Sequence, residues 1–324
     1  MRIRVVLYVF AWLLATGLAA AQQRQPARNS APVQQQQPGR HSAPAQRSVA
    51  APQQQSNPQL APNAPTLQRR QLPFRLTPQQ QAQVDQVLRA WEQESAKFRK
   101  FECQFTRFEY DAVFSEKDVP RFVDAGYIKY ASPDKGSFRV THTRRGQQVV
   151  PIEPNRAEHW ISDGQSIYGY DFMQKKLVEH KLPPELKGKA ISNGPLPFLF
   201  GARAETLKRR YWVRIVTPQN AKGEVWLEAF PRFQADAANF QRAELILKTA
   251  GMQPFALQLY LPGGEQRTVY QFSKIKVNSR DPADLLDIFP DTDFHAGLPL
   301  GWQKVVEEAP PTREANRPAA QPKR

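Results

Sequence analysis

The segment Ile161-Ser162-Asp163-Gly164-Gln165-Ser166-Ile167-Tyr168-Gly169-Tyr170-Asp171 reads as a β-hairpin. Asp-Gly is a strong short-range hairpin signal, because a type I′ turn needs positive φ and glycine supplies it without steric cost. Trp160 and Ile161 stand on one side of the turn, and Ile167, Tyr168 and Tyr170 on the other. All are residue types that suit a pleated, half-buried surface.

The same period of two continues in both directions. Besides 159–162 and 166–172 in the hairpin itself, candidate strands are 101–110, 126–132, 137–143, 176–181, 211–216, 224–230, 242–249, 255–261 and 268–277. The cleanest alternation sets Phe255, Leu257, Leu259 and Leu261 against Ala256, Gln258 and Tyr260. After the Pro262-Gly263-Gly264 turn, Tyr270 and Phe272 share one face of the next strand. Such segments form antiparallel hairpins with one apolar and one wet face. About eleven strands in one twisted sheet should curl, because closing removes open edges. A curled sheet of this size either packs solid or encloses a cavity, and the pattern leaves both outcomes open.

Two stretches break the strand period. Thr77-Pro78-Gln79-Gln80 predicts a helix start, with Thr77 as N-cap, Pro78 at the first helical position and Gln80 closing a capping box. Val84, Val87, Leu88, Trp91, Ser95 and Phe98 then fall on one face at helical spacing, which predicts one long helix ending near Lys100. That face serves equally as core contact or as the inner face of a lid. Residues 195–210 form the second interruption, a short helix or lid containing Leu196, Phe198, Leu199 and Phe200.

The ends read differently. Arg2 and Arg4, the apolar run from Val5 to Leu18 and Ala19-Ala20-Ala21 together form an export signal over 1–21. Residues 22–71 are rich in Gln, Pro and Ala and carry no acidic residue, so they predict a disordered tether, and 306–324 a similar short tail. One folded domain remains at 72–305. The formal net charge is +15, but eight of the basic residues lie within 1–71, leaving +7 elsewhere. In the domain, basic residues alternate with carboxylates, which argues against nucleic acid and leaves an anionic membrane or wall surface as the partner for the tether. Cys103 is the only cysteine, so no internal disulfide forms. Within Phe101-Glu102-Cys103-Gln104-Phe105 it shares the strand face of two phenylalanines, as a buried and inert thiol would.

A second segment, Gly126-Tyr127-Ile128-Lys129-Tyr130-Ala131-Ser132-Pro133 followed by Phe138-Arg139-Val140, adds a likeness. A glycine-led strand, a proline break, an aromatic-Arg strand and then the Ser-Asp-Gly hairpin resemble the periplasmic lipoprotein carriers of the LolA family and their LolB relatives. The order continues through 171–179, the lid-like Pro197-Phe198-Leu199-Phe200-Gly201, and the hairpins of 211–230 and 245–272, covering nearly all of 78–295. The resemblance implies a mainly β (α+β) fold, an incomplete antiparallel barrel with a long N-terminal helix and lid helices on its concave side. It also implies an apolar cavity for acyl chains, each CH₂ gaining roughly 0.8 kcal/mol on leaving water. In the family an arginine commonly precedes the proline that ends the second strand and holds the lid closed. Here that position is Ser132, which lacks the guanidinium's fork of donors, so a closing switch is either rebuilt elsewhere or absent.

The expected cavity wall comprises Ile128, Tyr130, Tyr168, Tyr170, Phe255, Leu257, Leu259, Leu261, Tyr270 and Phe272, with Leu199 and Phe200 above it. The expected role is that of an exported, monomeric, non-enzymatic carrier in the periplasm or envelope that binds lipid or a lipoprotein's acyl chain. The alternative is an adaptor that uses the same sheet, filled, to bind another protein. No cofactor, metal or catalytic centre is expected. His41, His142, His159, His180 and His295 are scattered, and no nucleophile elbow, phosphate loop or zinc motif occurs. The run Asp281, Asp284, Asp287, Asp291 and Asp293 lacks the order of a calcium loop.

Overall fold

A computed structural model describes residues 70–116, 118–184, 187, 203–279 and 292–307. The export signal and most of the tether, the tail beyond 307, the lid residues Leu199 and Phe200, and four of the five aspartates of the acidic run lie outside the described residues.

The first helix, α1 (Pro78–Ser95), starts as its sequence dictates. Gln80 N donates to Thr77 Oγ1 at 3.2 Å, and Thr77 N donates to the Gln80 side-chain oxygen at 2.9 Å. Val84, Leu88, Trp91 and Ser95 are its buried residues. The helix ends before Lys100, where the first strand begins, because Asn278 holds the chain in a different course. The Asn278 side-chain oxygen accepts from Arg99 N and Lys100 N, and its amide donates to Lys97 O.

All eleven expected strands are present, with two more. In chain order they are β1 (Lys100–Asp111), β2 (Phe122–Ala131), β3 (Lys135–Arg145), β4 (Gln148–Pro151), β5 (His159–Ser162), β6 (Ser166–Asp171) and β7 (Lys176–Lys181). A short helix, α2 (Ala204–Arg210), leads directly into β8 (Tyr211–Ile215). Then come β9 (Glu224–Pro231), β10 (Arg242–Lys248), β11 (Gln253–Tyr260), β12 (Gln266–Val277) and β13 (Gln303–Glu307).

These strands form one sheet in the order β13-β7-β6-β5-β3-β2-β1-β12-β11-β10-β9-β8, with β4 paired off the path to β3. Every pair is antiparallel except β13 on β7, which is parallel. The two ends, β13 and β8, are not paired with each other, so the sheet is a large open one rather than a closed barrel. The fold is thus mainly β, an incomplete antiparallel barrel with few helices.

Helix α1 packs on β8, on the 3₁₀ turn Ala250–Met252 and on α2, which defines the inner face of the sheet. The main core lies on this face, from Trp160 and Ile167 at one end to Tyr211 and Leu245 at the other. A second, smaller cluster of Ala131, Ile161, Tyr170, Leu177 and Phe294 occupies the opposite, outer face. The residues 292–302 that precede β13 run over that cluster, where Tyr170 Oη donates to Gly297 O at 2.9 Å.

Candidate functional site

The inner face is built by strand register, and bulges adjust its phase. On β1, Phe101, Cys103 and Phe105 all point inward and are nearly inaccessible, at 3 %, 1 % and 1 % exposure. Burial pushes the Cys103 thiol up to about 12. On β3 an extra residue at Thr141, between the pairs Gly126↔Val140 and Ala125↔His142, keeps both Val140 and Thr143 buried. On β12 a similar irregularity near Lys274, whose φ is +49°, keeps Phe272 and Val277 on the core side.

Gly126 sits on β2, directly between Phe105 on β1 and Val140 on β3. A Cβ there would meet Phe105 Cζ at 2.6 Å and collide with the Arg139 carbonyl oxygen. The missing side chain lets the Phe105 ring lie over β2 and stack on Phe138 of β3, with centroids 5.0 Å apart. Phe138 in turn stacks on Trp160 of β5 at 5.6 Å, and Phe105 meets Tyr270 of β12 edge-on at 5.6 Å. Four aromatic rings therefore form a ladder across the inner face, with Gly126 as the gap that joins its halves.

A charged line runs beside the ladder. Arg107, 2 % exposed, pairs across β1 and β2 with Asp124 and donates to its Oδ2 at 2.7 Å. A second bond goes to Glu158 Oε1 at 2.7 Å, and Glu109 stands 3.1 Å from Arg107 Nε. Arg156 donates to both Asp124 oxygens at 2.9 and 2.7 Å and to Thr143 Oγ1 at 3.2 Å. Burial raises the Glu158 carboxyl above its ordinary value, against the pull of Arg107. The tyrosine hydroxyl of Tyr270 is likewise raised, by burial first. This is a tightly paired structural network: each guanidinium already faces carboxylates.

Of the expected wall, the structure brings together Ile128, Tyr130, Leu257, Tyr270 and Phe272 in the main core, with Leu259 half-buried against it. Leu257 pairs with Tyr270, as expected of neighbouring hairpin strands. Four expected positions fall elsewhere. Tyr168 and Tyr170 belong to the outer face, because Ile161 pairs with Tyr168 in the β5–β6 hairpin and shares its face, while Trp160 and Ile167 point inward. Phe255 leaves the inner face because β11 bulges: Leu247 pairs with Pro254 and Ile246 with Ala256, so Phe255 is the extra residue. Lys248 Nζ lies 4.1 Å from its ring. Leu261 is buried but follows the end of β11 and is not part of the main cluster.

The hairpin turn also differs in type. Gly164 has φ +89°, but Asp163 is not among the residues of positive φ, as a type I′ turn would require. Instead Asp163 Oδ1 accepts from Gln165 N and Ser166 N, each at 2.7 Å, and closes the loop with its side chain. Ser132, at the position of the family's closing arginine, donates its backbone N–H to Arg99 O at 2.8 Å and precedes a cis Pro133.

Phe105, Phe138, Trp160 and the Arg107 network were missed by sequence reasoning. The signal was available for three of them: Phe105, Phe138 and Trp160 each lie on strands whose neighbours alternate, and Gly126 in a strand interior marks a close approach. Among the described residues, no three His, Cys, Asp or Glu side chains are placed to share a metal ion, and no helix is long and apolar enough to cross a membrane. His159, stacked on Tyr170 at 4.4 Å, is lowered to about 4 by burial and by Arg139.

No family model matches the chain, and no curated protein matches it by sequence. The chain is similar to solved structures. A LolA superfamily protein from Nitrosomonas europaea is 11 % identical, with 66 % of this chain and 97 % of that one covered and a TM-score of 0.32. The lipoprotein LppX from Mycobacterium tuberculosis is 8 % identical, with 62 % and 98 % covered and a TM-score of 0.34. A MucA/MucB complex from Pseudomonas aeruginosa is 15 % identical, with 66 % and 63 % covered and a TM-score of 0.34.

Proposed function

We propose that this protein is a non-enzymatic binding protein of the cell envelope that takes up an acyl chain on the inner face of its open sheet. One observation carries the reading: the inner face is a single apolar surface spanning the sheet from β5 and β6 to β8, joined across β2 by the gap at Gly126. An acyl chain needs length of apolar contact rather than specific polar partners, and a ladder of rings supplies it. Helix α1 is the cover. Its polar ties among the described residues run to α2, where Glu92 accepts from Ala204 N at 3.1 Å and Asp85 meets Lys208 at 3.2 Å. Arg210, the last residue of α2, is held by Asp236 at 2.7 Å, so the two helices would swing together about the junction of α2 with β8 while the sheet stays intact. Leu199 and Phe200, in the stretch just before α2, are proposed to extend the cover.

The test is titration of the full chain with cis-parinaric acid, a fluorescent fatty acid, and displacement by unlabelled palmitate. Saturable, displaceable binding supports the carrier. A second reading, an adaptor with a filled inner face, is favoured by the packing of Leu257, Tyr270 and Phe272 in one cluster with Val84, Leu88 and Trp91 of α1. It predicts no fatty-acid binding.

A further inference from the structure

Helix α1 buries Val84, Leu88, Trp91 and Ser95, the first three of them in the main core. Two of the four carry a side-chain hydrogen-bonding atom. Ser95 Oγ is turned back along the helix and donates to Glu92 O at 3.2 Å. Trp91 has no such outlet: its side chain is 1 % exposed, and its Nε1–H has no hydrogen-bond partner. A buried tryptophan N–H ordinarily finds an acceptor, because an unpaired one has lost its bond to water with nothing in return. The main core is aliphatic and aromatic almost throughout, so a lone water there would lack the roughly two to four polar partners it needs. The indole N–H is a donor left open beneath the cover.

An acyl chain on the inner face brings the missing acceptor only if it carries a carbonyl, and the same core decides the charge of that group. Among the described residues Arg107 is the one buried cation, and Asp124, Glu158 and Glu109 already face it. An ionised carboxylate drawn under α1 would therefore be a buried charge without a counter-charge, a cost that one N–H does not offset. An ester or amide carbonyl is neutral and accepts a single hydrogen bond. We propose that Trp91 Nε1 donates to the carbonyl oxygen of an acyl ester or amide, which makes that class of chain the preferred ligand over an ionised fatty acid and over plain hydrocarbon. The inference rests on the carrier reading and sharpens it: the ladder of rings holds the chain by its length, and the indole sets where its polar end stops.

The experiment uses the full chain loaded with cis-parinaric acid and three displacing probes of matched chain length: methyl palmitate, palmitate at neutral pH and hexadecane. Trp91→Phe keeps an aromatic ring in the core and removes the donor. It should bind methyl palmitate about tenfold more weakly than wild type does, with palmitate and hexadecane nearly unchanged. The infrared carbonyl stretch of methyl palmitate labelled with ¹³C at the carbonyl should lie lower on wild type than on Trp91→Phe. Should Trp91→Phe fail to fold, Trp91→benzothienylalanine, in which sulfur replaces the N–H within a ring of the same shape, carries the same decision. Equal binding of methyl palmitate by wild type and variant overturns the inference, leaves the carrier reading standing and assigns the N–H to a buried water. An equal loss for all three probes also overturns it, since Trp91 then acts by packing alone. A wild-type protein that binds no cis-parinaric acid removes the carrier reading and this inference together.

Discussion

Replacing Gly126 by alanine tests the packing of the inner face at its tightest point. The backbone there is not in the left-handed region, so the added methyl is judged by space alone. That methyl would lie 2.6 Å from Phe105 Cζ and inside the Arg139 carbonyl oxygen. A ring can tilt, but a ladder carbonyl cannot rotate away, so β2 and β3 must separate. Overpacking of this kind costs about 1–3 kcal/mol. Tilting Phe105 also breaks its stack on Phe138, at about 0.5–1.5 kcal/mol beyond the area buried. The expected loss is therefore about 2–4 kcal/mol, read from the urea midpoint with an unchanged slope. Near-ultraviolet circular dichroism should change together with it, since Phe138 stacks on Trp160. A Gly126→Ala protein within about 0.5 kcal/mol of wild type refutes the argument that this glycine is needed for close approach.

Three further outcomes follow from buried groups. Asp124→Ala leaves Arg107 and Arg156 facing an unfilled, buried site, and should cost about 3–5 kcal/mol in chemical denaturation; a loss below about 1 kcal/mol contradicts the network as described. His159, lowered to about 4, stays neutral in the fold while the unfolded chain takes up a proton below its ordinary value of 6.5. Stability is thus fully present above pH 6.5 and falls as pH drops towards 4, by up to about 3 kcal/mol, and His159→Phe should remove that slope. Cys103, held up at about 12, should react with a thiol reagent only as fast as the protein unfolds, whereas rapid labelling of the native protein would place it on an accessible surface.

Much of the fold was legible because hydrophobic period and turn chemistry are local. The capping box at Thr77 and Gln80 and the buried face Val84–Leu88–Trp91 formed as read, and all eleven expected strands appeared. What the period could not supply was phase. A one-residue bulge at Phe255 reverses which face a side chain takes, and no local pattern announces it. Tyr168 and Tyr170, expected on the cavity wall, lie on the outer face, where burial is available because residues 292–302 cover it. The parallel pairing of β13 with β7 joins residues more than a hundred positions apart, and such a contact leaves no mark in either segment. The Arg107 network was hidden for a related reason. Its members come from β1, β2 and the loop before β5, and only register places them together.

The central claim, an acyl chain held on the inner face, is tested most directly at Leu259. This side chain lies half-buried at the margin of the core, opposite Thr268 and Ala243, where an arginine can carry its guanidinium out to water. At the fully buried Leu257, by contrast, the same change should unfold the domain. Energy transfer from tryptophan to bound cis-parinaric acid, measured for wild type and Leu259→Arg, reports binding to the protein, and its loss in the variant places that binding at the inner face. The account predicts saturable transfer in wild type and a folded Leu259→Arg protein, by circular dichroism, in which it is lost. No transfer in wild type, an unfolded Leu259→Arg protein, or a folded one that binds normally would contradict it.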